Sequence, residues 1–218
     1  MPVVWTMDGD ENSWVEWSTA MAESAVSPLA EELLANKHGI QKKIALDIGC
    51  GTGRAFLPLT KAGFEVIGFD PVMAGLRASR KRCEKDHLSA SIVCASANWI
   101  PFPSSSIDFV LAIGVLFHLS PPELDLSLQS IRRVMKPDGE AILHFLDLHD
   151  WRKSLANIVR PEHILVPSCK AVVTSFCSED VVRDRLALNS LNIKSMGLRS
   201  KETERGMQLD WIACCVRK

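Results

Sequence analysis

Long apolar runs are missing from this chain. The longest, Phe109 to Phe117, falls far short of the roughly 20 residues that a bilayer span requires. The first residues, Met1 to Trp14, carry Asp8, Asp10 and Glu11 and no apolar stretch, so no secretory signal peptide is expected there. A surplus of either charge is missing too: 25 Lys and Arg stand against 26 Asp and Glu, a net charge of −1. That balance gives no global attraction to nucleic acid or to a membrane surface. Seven cysteines form no C-x-x-C pair, which reads as reduced thiols used as small apolar side chains in a cytoplasmic protein. Repeats and low-complexity tracts are absent as well. What remains is a 218-residue chain, one domain of the larger sort and long enough to bury a proper core.

What is present concentrates in nine residues, Ala45-Leu46-Asp47-Ile48-Gly49-Cys50-Gly51-Thr52-Gly53. The apolar run Ile44 to Ile48 reads as a buried strand, stops at three glycines on alternate positions, and gives way to a helix-compatible segment from Arg54 to Lys61. Glycine tolerates positive φ and lets a ligand lie against bare backbone, and a helix start offers unpaired N–H groups. In open α/β sheets, ligands bind at the carboxyl ends of the strands. The spacing differs from the dinucleotide pattern G-x-G-x-x-G, whose third glycine position holds Arg54 here. Asp47, just ahead of the turn, would repel a diphosphate and suits a ligand that carries an ammonium group. A second apolar strand, Phe64 to Phe69, ends in Asp70, 23 positions beyond Asp47 and where such units grip a ribose diol. Taken alone, Asp70 also reads as a cap for the helix that follows Pro71.

With Asp47 to Gly53 and Asp70 in place, three further landmarks follow in order: Trp99-Ile100-Pro101-Phe102-Pro103, Ile107-Asp108-Phe109-Val110 and Met135-Lys136-Pro137-Asp138-Gly139. Together they resemble the class I S-adenosylmethionine (SAM)-dependent methyltransferases, most closely the branch that methylates small molecules. The likeness covers about Ile44 to Phe145. It implies SAM as the cofactor, a small-molecule acceptor, and a binding set of Asp47, Gly49, Cys50, Gly51, Gly53, Asp70, Pro71, Ser96, Ala97, Asn98 and Ile113. One landmark departs from the family: where an Asp usually receives the adenine amino group, this chain has Ser96, followed by Ala97 and Asn98. A hydroxyl accepts without charge and should hold adenine less strongly.

Element signals alternate. Helices are expected at 14–25, 28–37, 54–62, 72–85, 121–135 and 179–190, and strands at 44–48, 64–69, 90–95, 107–113, 140–146, 192–198 and 209–216. Ser120-Pro121-Pro122-Glu123 looks like a capping box with proline at the first helical position. The alternation implies an α/β fold, a doubly wound and mainly parallel sheet with helices on both faces. The resemblance makes it Rossmann-like and seven-stranded, with the last strand antiparallel. One domain over 1–218 is expected: N-terminal helices capping the site (1–40), a SAM-binding core (44–146), an insertion or lid (147–175), and a C-terminal helix with two strands (176–218).

Methyl transfer asks the protein to position a nucleophile and exclude water, and a base helps where the nucleophile loses a proton. His118, leaving the fourth strand in Ile113 to Leu119, is the candidate base or acceptor contact; a structural histidine on a short turn reads equally well. A second polar set, His144, Asp147, His149 and Asp150, follows the fifth strand and matches no metal-ligand spacing, so no metal is expected. Trp14 and Trp17 share a helix face and either close over the cofactor or pack in the core. Arg77, Arg80, Lys81, Arg82 and Lys85 lie on a helix diluted by Glu84 and Asp86, which reads as a solvated face and not a nucleic-acid stripe. The alternatives are a non-catalytic SAM-binding or partner-binding module on the same fold, and a nicotinamide-dependent oxidoreductase, which the glycine spacing disfavours.

Overall fold

The computed structural model describes residues 11–35, 43–149, 157–160, 163–165, 173–202 and 208–218. Five strands, β1 (Lys43–Ile48), β2 (Phe64–Asp70), β3 (Ala90–Cys94), β4 (Ile107–Ala112) and β5 (Met135–Asp147), alternate with three helices, α3 (Phe56–Ala62), α4 (Met73–Lys85) and α5 (Pro121–Val134). Helices α1 (Glu11–Met21) and α2 (Pro28–Leu34) precede them. After β5 come β6 (Asn157–Arg160), β7 (His163–Leu165), β8 (Val173–Thr174) and β9 (Phe176–Cys177). Helix α6 (Glu179–Leu188) and strands β10 (Asn192–Glu202) and β11 (Gln208–Arg217) end the chain.

The main sheet runs β10-β11-β5-β4-β1-β2-β3. Strands β1 to β5 are parallel, β11 is antiparallel to β5, and β10 is antiparallel to β11. The order reverses between β1 and β4, which opens a crevice beyond their carboxyl ends. Seven strands on this path agree with the expected count, and the two-residue β9 adds an eighth beside β5. Alternation along each strand separates two cores. Leu46, Ile48, Val110 and Ala112 face α5 and α6 through Leu128, Ile131, Val182 and Leu186. Ala45, Phe109 and Leu111 face α2, α3 and α4 through Leu34, Leu59 and Leu76. Each fully buried aliphatic or aromatic side chain contributes about 1.5–3 kcal/mol.

Local chemistry sets the ends. Helix α5 starts at the expected capping box, where the Glu123 carboxylate accepts from the Ser120 N–H at 2.9 Å and hydroxyl at 2.6 Å. Helix α6 starts at Ser178, whose hydroxyl accepts from Val181 N–H. Several boundaries differ from the sequence expectation: α1 runs Glu11–Met21 and not 14–25, α6 stops at Leu188, and β10 extends to Glu202. Helix α3 begins at Phe56 and not at Arg54, because residues 51–55 are spent on the turn. Strand β5 begins at Met135, directly after α5, and a register shift between Ile107 and Phe109 on β4 absorbs Lys136 to Gly139. The segment after β5 holds a small antiparallel sheet, β6-β7-β8, and no helix among the described residues.

Gly68 on β2 carries a packing requirement that the sequence pattern did not mark. A Cβ there would stand 2.4 Å from Phe56 Cζ, so the ring of α3 rests on bare backbone.

Asp108 explains two of the sequence landmarks. Its carboxylate accepts from Lys136 Nζ at 2.9 Å and from the Ile44 N–H at 2.9 Å, which joins the start of β1, β4 and the β5 bulge. Burial pushes this carboxyl up, but the Lys136 and Ile44 bonds outweigh burial and hold it below the usual range. Its contribution is therefore present above the unfolded pKa and fades as pH falls below it. Asp108→Ala would strand a half-buried ammonium and an amide, and urea unfolding at pH 7 should show a loss of about 2–4 kcal/mol.

Candidate active site

The turn after β1 is built on left-handed glycines: φ is 65° at Gly49, 50° at Gly51 and 73° at Gly53. A Cβ on Gly49 would meet Val115 Cβ and Cγ2 at 2.8 Å, so the turn is bare where the segment leaving β4 crosses it. Asp70 ties the tip of β2 to this turn. One carboxylate oxygen accepts the Gly51 N–H at 3.0 Å and the other the Val72 N–H at 2.8 Å. The second bond is the helix-start role read from the sequence, placed one turn before α4, whose own N-cap is Val72. Burial outweighs both amide bonds and lifts the Asp70 carboxyl above its usual range.

Asp47 lies beside Asp70 and is 4% exposed. Burial first, and the Asp70 charge second, push its carboxyl up to about 8. Among the described residues it has no hydrogen bond to a side chain and no ion pair. Here is a buried acid set next to another acid, and a cation would relieve both. Cys50 packs its side chain into the core among Phe56 and Leu59, leaving only its backbone to the turn. Burial, then Asp47, lift its thiol well above the ordinary range, so it stays protonated. Ser96 to Trp99 form a turn at the β3 exit, closed by Trp99 N–H to Ser96 C=O at 3.1 Å. Ala97 is buried, Ser96 and Asn98 are half-buried, and Pro71 and Trp99 are exposed, Trp99 at 77%. Ile113, at the β4 exit, packs on the α3–α4 side core.

Beyond β4 and β5 the lining turns aromatic. His118, on the short turn Leu116–His118, meets the Trp14 ring of α1 edge-on at 4.9 Å and Phe117 at 4.4 Å. The other expected tryptophan, Trp17, has a side chain outside the described residues. His144 is buried on β5 between Phe117 and Trp211, at 5.4 Å and 6.2 Å between ring centroids. Its Nδ1 accepts the Gly114 N–H at 3.2 Å, so the neutral ring carries its proton on Nε2. Asp147 is turned to its own loop: its carboxylate accepts from His149 N–H at 2.9 Å and Nδ1 at 2.6 Å. Asp150 lies outside the described residues, and no metal-holding cluster of acids, His or Cys occurs among the described ones.

Thus Asp47, Gly49, Gly51, Gly53 and Asp70 form one corner, with Ile113 and Val115 as its far wall. His118 and His144 sit on the adjoining aromatic side. Val115, Thr52, Arg82 and Trp211 were not singled out as site residues from the sequence. Val115 has no local signature, but its place two residues beyond Ile113 in the β4 exit was a usable one.

The strand order and this corner define a methyltransferase-type α/β fold, and comparison with known proteins narrows it. Residues 46–143 match the sequence profile of the methyltransferase domain. A ubiquinone biosynthesis O-methyltransferase from Bradyrhizobium diazoefficiens is 32% identical over 120 residues, 55% of this chain and 46% of that protein. The chain thus spans about half the length of the curated relatives it matches. A SAM-dependent methyltransferase from Methanosarcina mazei superposes with a TM-score of 0.74 at 20% identity, covering 89% of this chain and 98% of that one. A Burkholderia thailandensis 1,6-didemethyltoxoflavin-N1-methyltransferase, solved with its substrate and S-adenosylhomocysteine, gives 0.71 at 16% identity over 94% and 84%. Residues 46–143 thus carry the similarity to the methyltransferase domain, and the solved structures agree with it in fold. No helix among the described residues is long and apolar enough to cross a membrane.

The raised Asp47 pKa fixes a sign. Its folded value lies above the unfolded one, so its contribution to stability is complete below about pH 4 and is lost as pH rises to about 8. Asp47→Asn keeps the neutral shape at every pH. Urea unfolding of the ligand-free variant should show a gain over wild type that grows across this window and levels off above it.

Proposed function

We propose that this chain transfers a methyl group from SAM to a small molecule. The observation that carries the reading is Asp47, a buried acid next to Asp70 with no cation paired to it among the described residues, under a bare glycine turn. Those residues fit the cofactor. Asp47 would answer its ammonium group, and Gly49, Cys50, Gly51 and Gly53 would offer backbone. Asp70 would take the ribose through the lone pairs that the Gly51 and Val72 amides leave over, with Pro71 beside it. Ser96, Ala97 and Asn98 would meet adenine, and Ile113 with Val115 would wall the reacting end. Bound there, SAM supplies a sulfonium methyl that is already strongly electrophilic.

The chain's own task is to hold the acceptor and keep water out. Trp14, Phe117 and Trp211 favour a flat, uncharged acceptor. His118, half-buried against Trp14, is the residue we assign to take a proton from the nucleophile or hold it. A hydroxyl acceptor suits that role, and the O-methyltransferase among the relatives supports it. The N-terminal helices and the 147–175 segment act as lids. Ser175 N–H donates to Phe117 C=O at 2.7 Å, which ties that segment to the His118 turn. The described cysteines are all unbridged, which supports a cytoplasmic setting. A second reading, a SAM-binding module without catalysis, is favoured by Ser96, which lacks the charge expected at the adenine edge.

Calorimetry should show SAM binding that strengthens with pH up to about 8, since the cation must displace a proton from Asp47. Asp47→Asn should lose this pH dependence and weaken binding about tenfold or more. Release of S-adenosylhomocysteine with a panel of phenolic and other small acceptors separates the two readings. In the catalytic one, His118→Ala lowers turnover about 100-fold and leaves SAM affinity close to wild type. Binding without release on any acceptor would leave only the module.

A further inference from the structure

The C-terminal end of α1 and the residues after it present four backbone carbonyls to the glycine turn and α4. The C=O of Met21 accepts from Thr52 Oγ1 at 3.3 Å. Those of Ala22 and Ser24 accept from Nη2 of Arg82, at 3.3 Å and 2.7 Å. That of Ala25 accepts from Nε of Arg54 at 3.0 Å. Arg82 completes the set by donating from Nε to Thr52 C=O, inside the glycine turn, at 2.9 Å. One guanidinium on α4 therefore joins the turn to the N-terminal helix.

A helix ends with carbonyls that have no partner within it, and cations are favourable there. Helix α1 has no basic residue of its own in its last turn; Thr52 serves its last carbonyl, and Arg82 and Arg54 serve those of the residues that follow it. The arrangement is costly to Arg54: burial, then the neighbouring Arg82 charge, hold it below the usual guanidinium range. The carbonyls offset that repulsion. Elsewhere the seat of α1 is polar and close. Ser18 is buried, and a Cβ on Gly75 would stand 3.2 Å from its hydroxyl and 3.1 Å from the Gly51 carbonyl oxygen. Val15, by contrast, is exposed. Among the described residues, hydrogen bonds from Thr52, Arg54 and Arg82 hold the end of this helix and the residues after it on the turn.

We propose that Arg82 is a positioning residue that clamps α1 onto the glycine turn and thereby sets how long the cofactor stays bound. The residence-time part rests on the reading that SAM occupies the corner of Asp47 and Asp70. The clamp needs a fork: two donors of one planar group reach carbonyls of Thr52, Ala22 and Ser24, and an ammonium cannot span them in the same way. When the fork is removed, α1 lifts from Gly51 and Gly75 more often, and the turn beneath it opens.

Arg82→Met and Arg82→Lys test this on the full chain. Stopped-flow fluorescence, with Trp14 on α1 as a reporter, measures the release of S-adenosylhomocysteine. Both variants should release it at least about tenfold faster, with association changed much less. Hydrogen exchange of the ligand-free protein should rise in residues 11–24 while β1 and β4 keep their protection. A folded variant with wild-type release, or with unchanged exchange over 11–24, overturns the clamp, and so does a loss of urea stability with no change in residence time. A wild-type protein that binds no S-adenosylhomocysteine overturns the cofactor reading and the residence-time part with it. Exchange over 11–24 still decides the clamp in that case.

Discussion

The Asp70 carboxylate is the joint on which this site depends. It accepts the Gly51 amide with one oxygen and the Val72 amide with the other, so the tip of β2 fixes both the glycine turn and the start of α4. The joint is bought with buried charge. Burial raises Asp70, and Asp70 in turn raises Asp47 beside it. A corner optimised for stability alone would hold neutral groups here. Two adjacent acids make sense where the working state of the protein includes a cation between them and the solvent, and this is the physical content of the methyltransferase reading.

How far the sequence disclosed this can be followed through single residues. Asp47, Gly49, Gly51, Gly53 and Asp70 were legible because their chemistry is local: positive φ, bare backbone and an acid at a strand end are properties of short segments. The strand alternation was legible for the same reason, and it yielded the main sheet and helices on both faces. Cys50 was read as part of the site; its side chain packs into the core and leaves only backbone to the turn, since burial depends on what packs beneath it. Val115 and Gly68 stayed hidden because their importance lies in a contact. One crosses Gly49 from another strand, and the other yields space to Phe56. Arg82 stayed hidden inside a run of basic residues. Its neighbours face solvent, and only the fold decides that this one turns toward three carbonyls.

Stability is distributed unevenly around the crevice. Behind it, two apolar cores grip the sheet from both faces, and the Asp108–Lys136 pair locks β1, β4 and β5 together at the opposite end. In front, hydrogen bonds hold the end of α1, and among the described residues the β6-β7-β8 sheet pairs with none of the main-sheet strands. Local opening free energies track such differences in buried apolar contact. A rigid floor under elements that part more easily is the arrangement that the proposed methyl transfer would call for.

The segment from Ile113 to His118 links the two halves of the crevice. Ile113 packs on the core behind the glycine turn, and the Gly114 amide, at φ 75°, donates to His144 on β5. Val115 crosses Gly49 with no room for a side chain between them. Phe117 receives the Ser175 amide from the far end of the 147–175 segment, and His118 meets Trp14 on α1. Residues 113–118 thus touch the glycine turn, β5, Ser175 and α1. Packed elements move between discrete arrangements and do not deform continuously. A shift of α1 therefore reaches His118 and, through the same short segment, the contact of Val115 with the glycine turn.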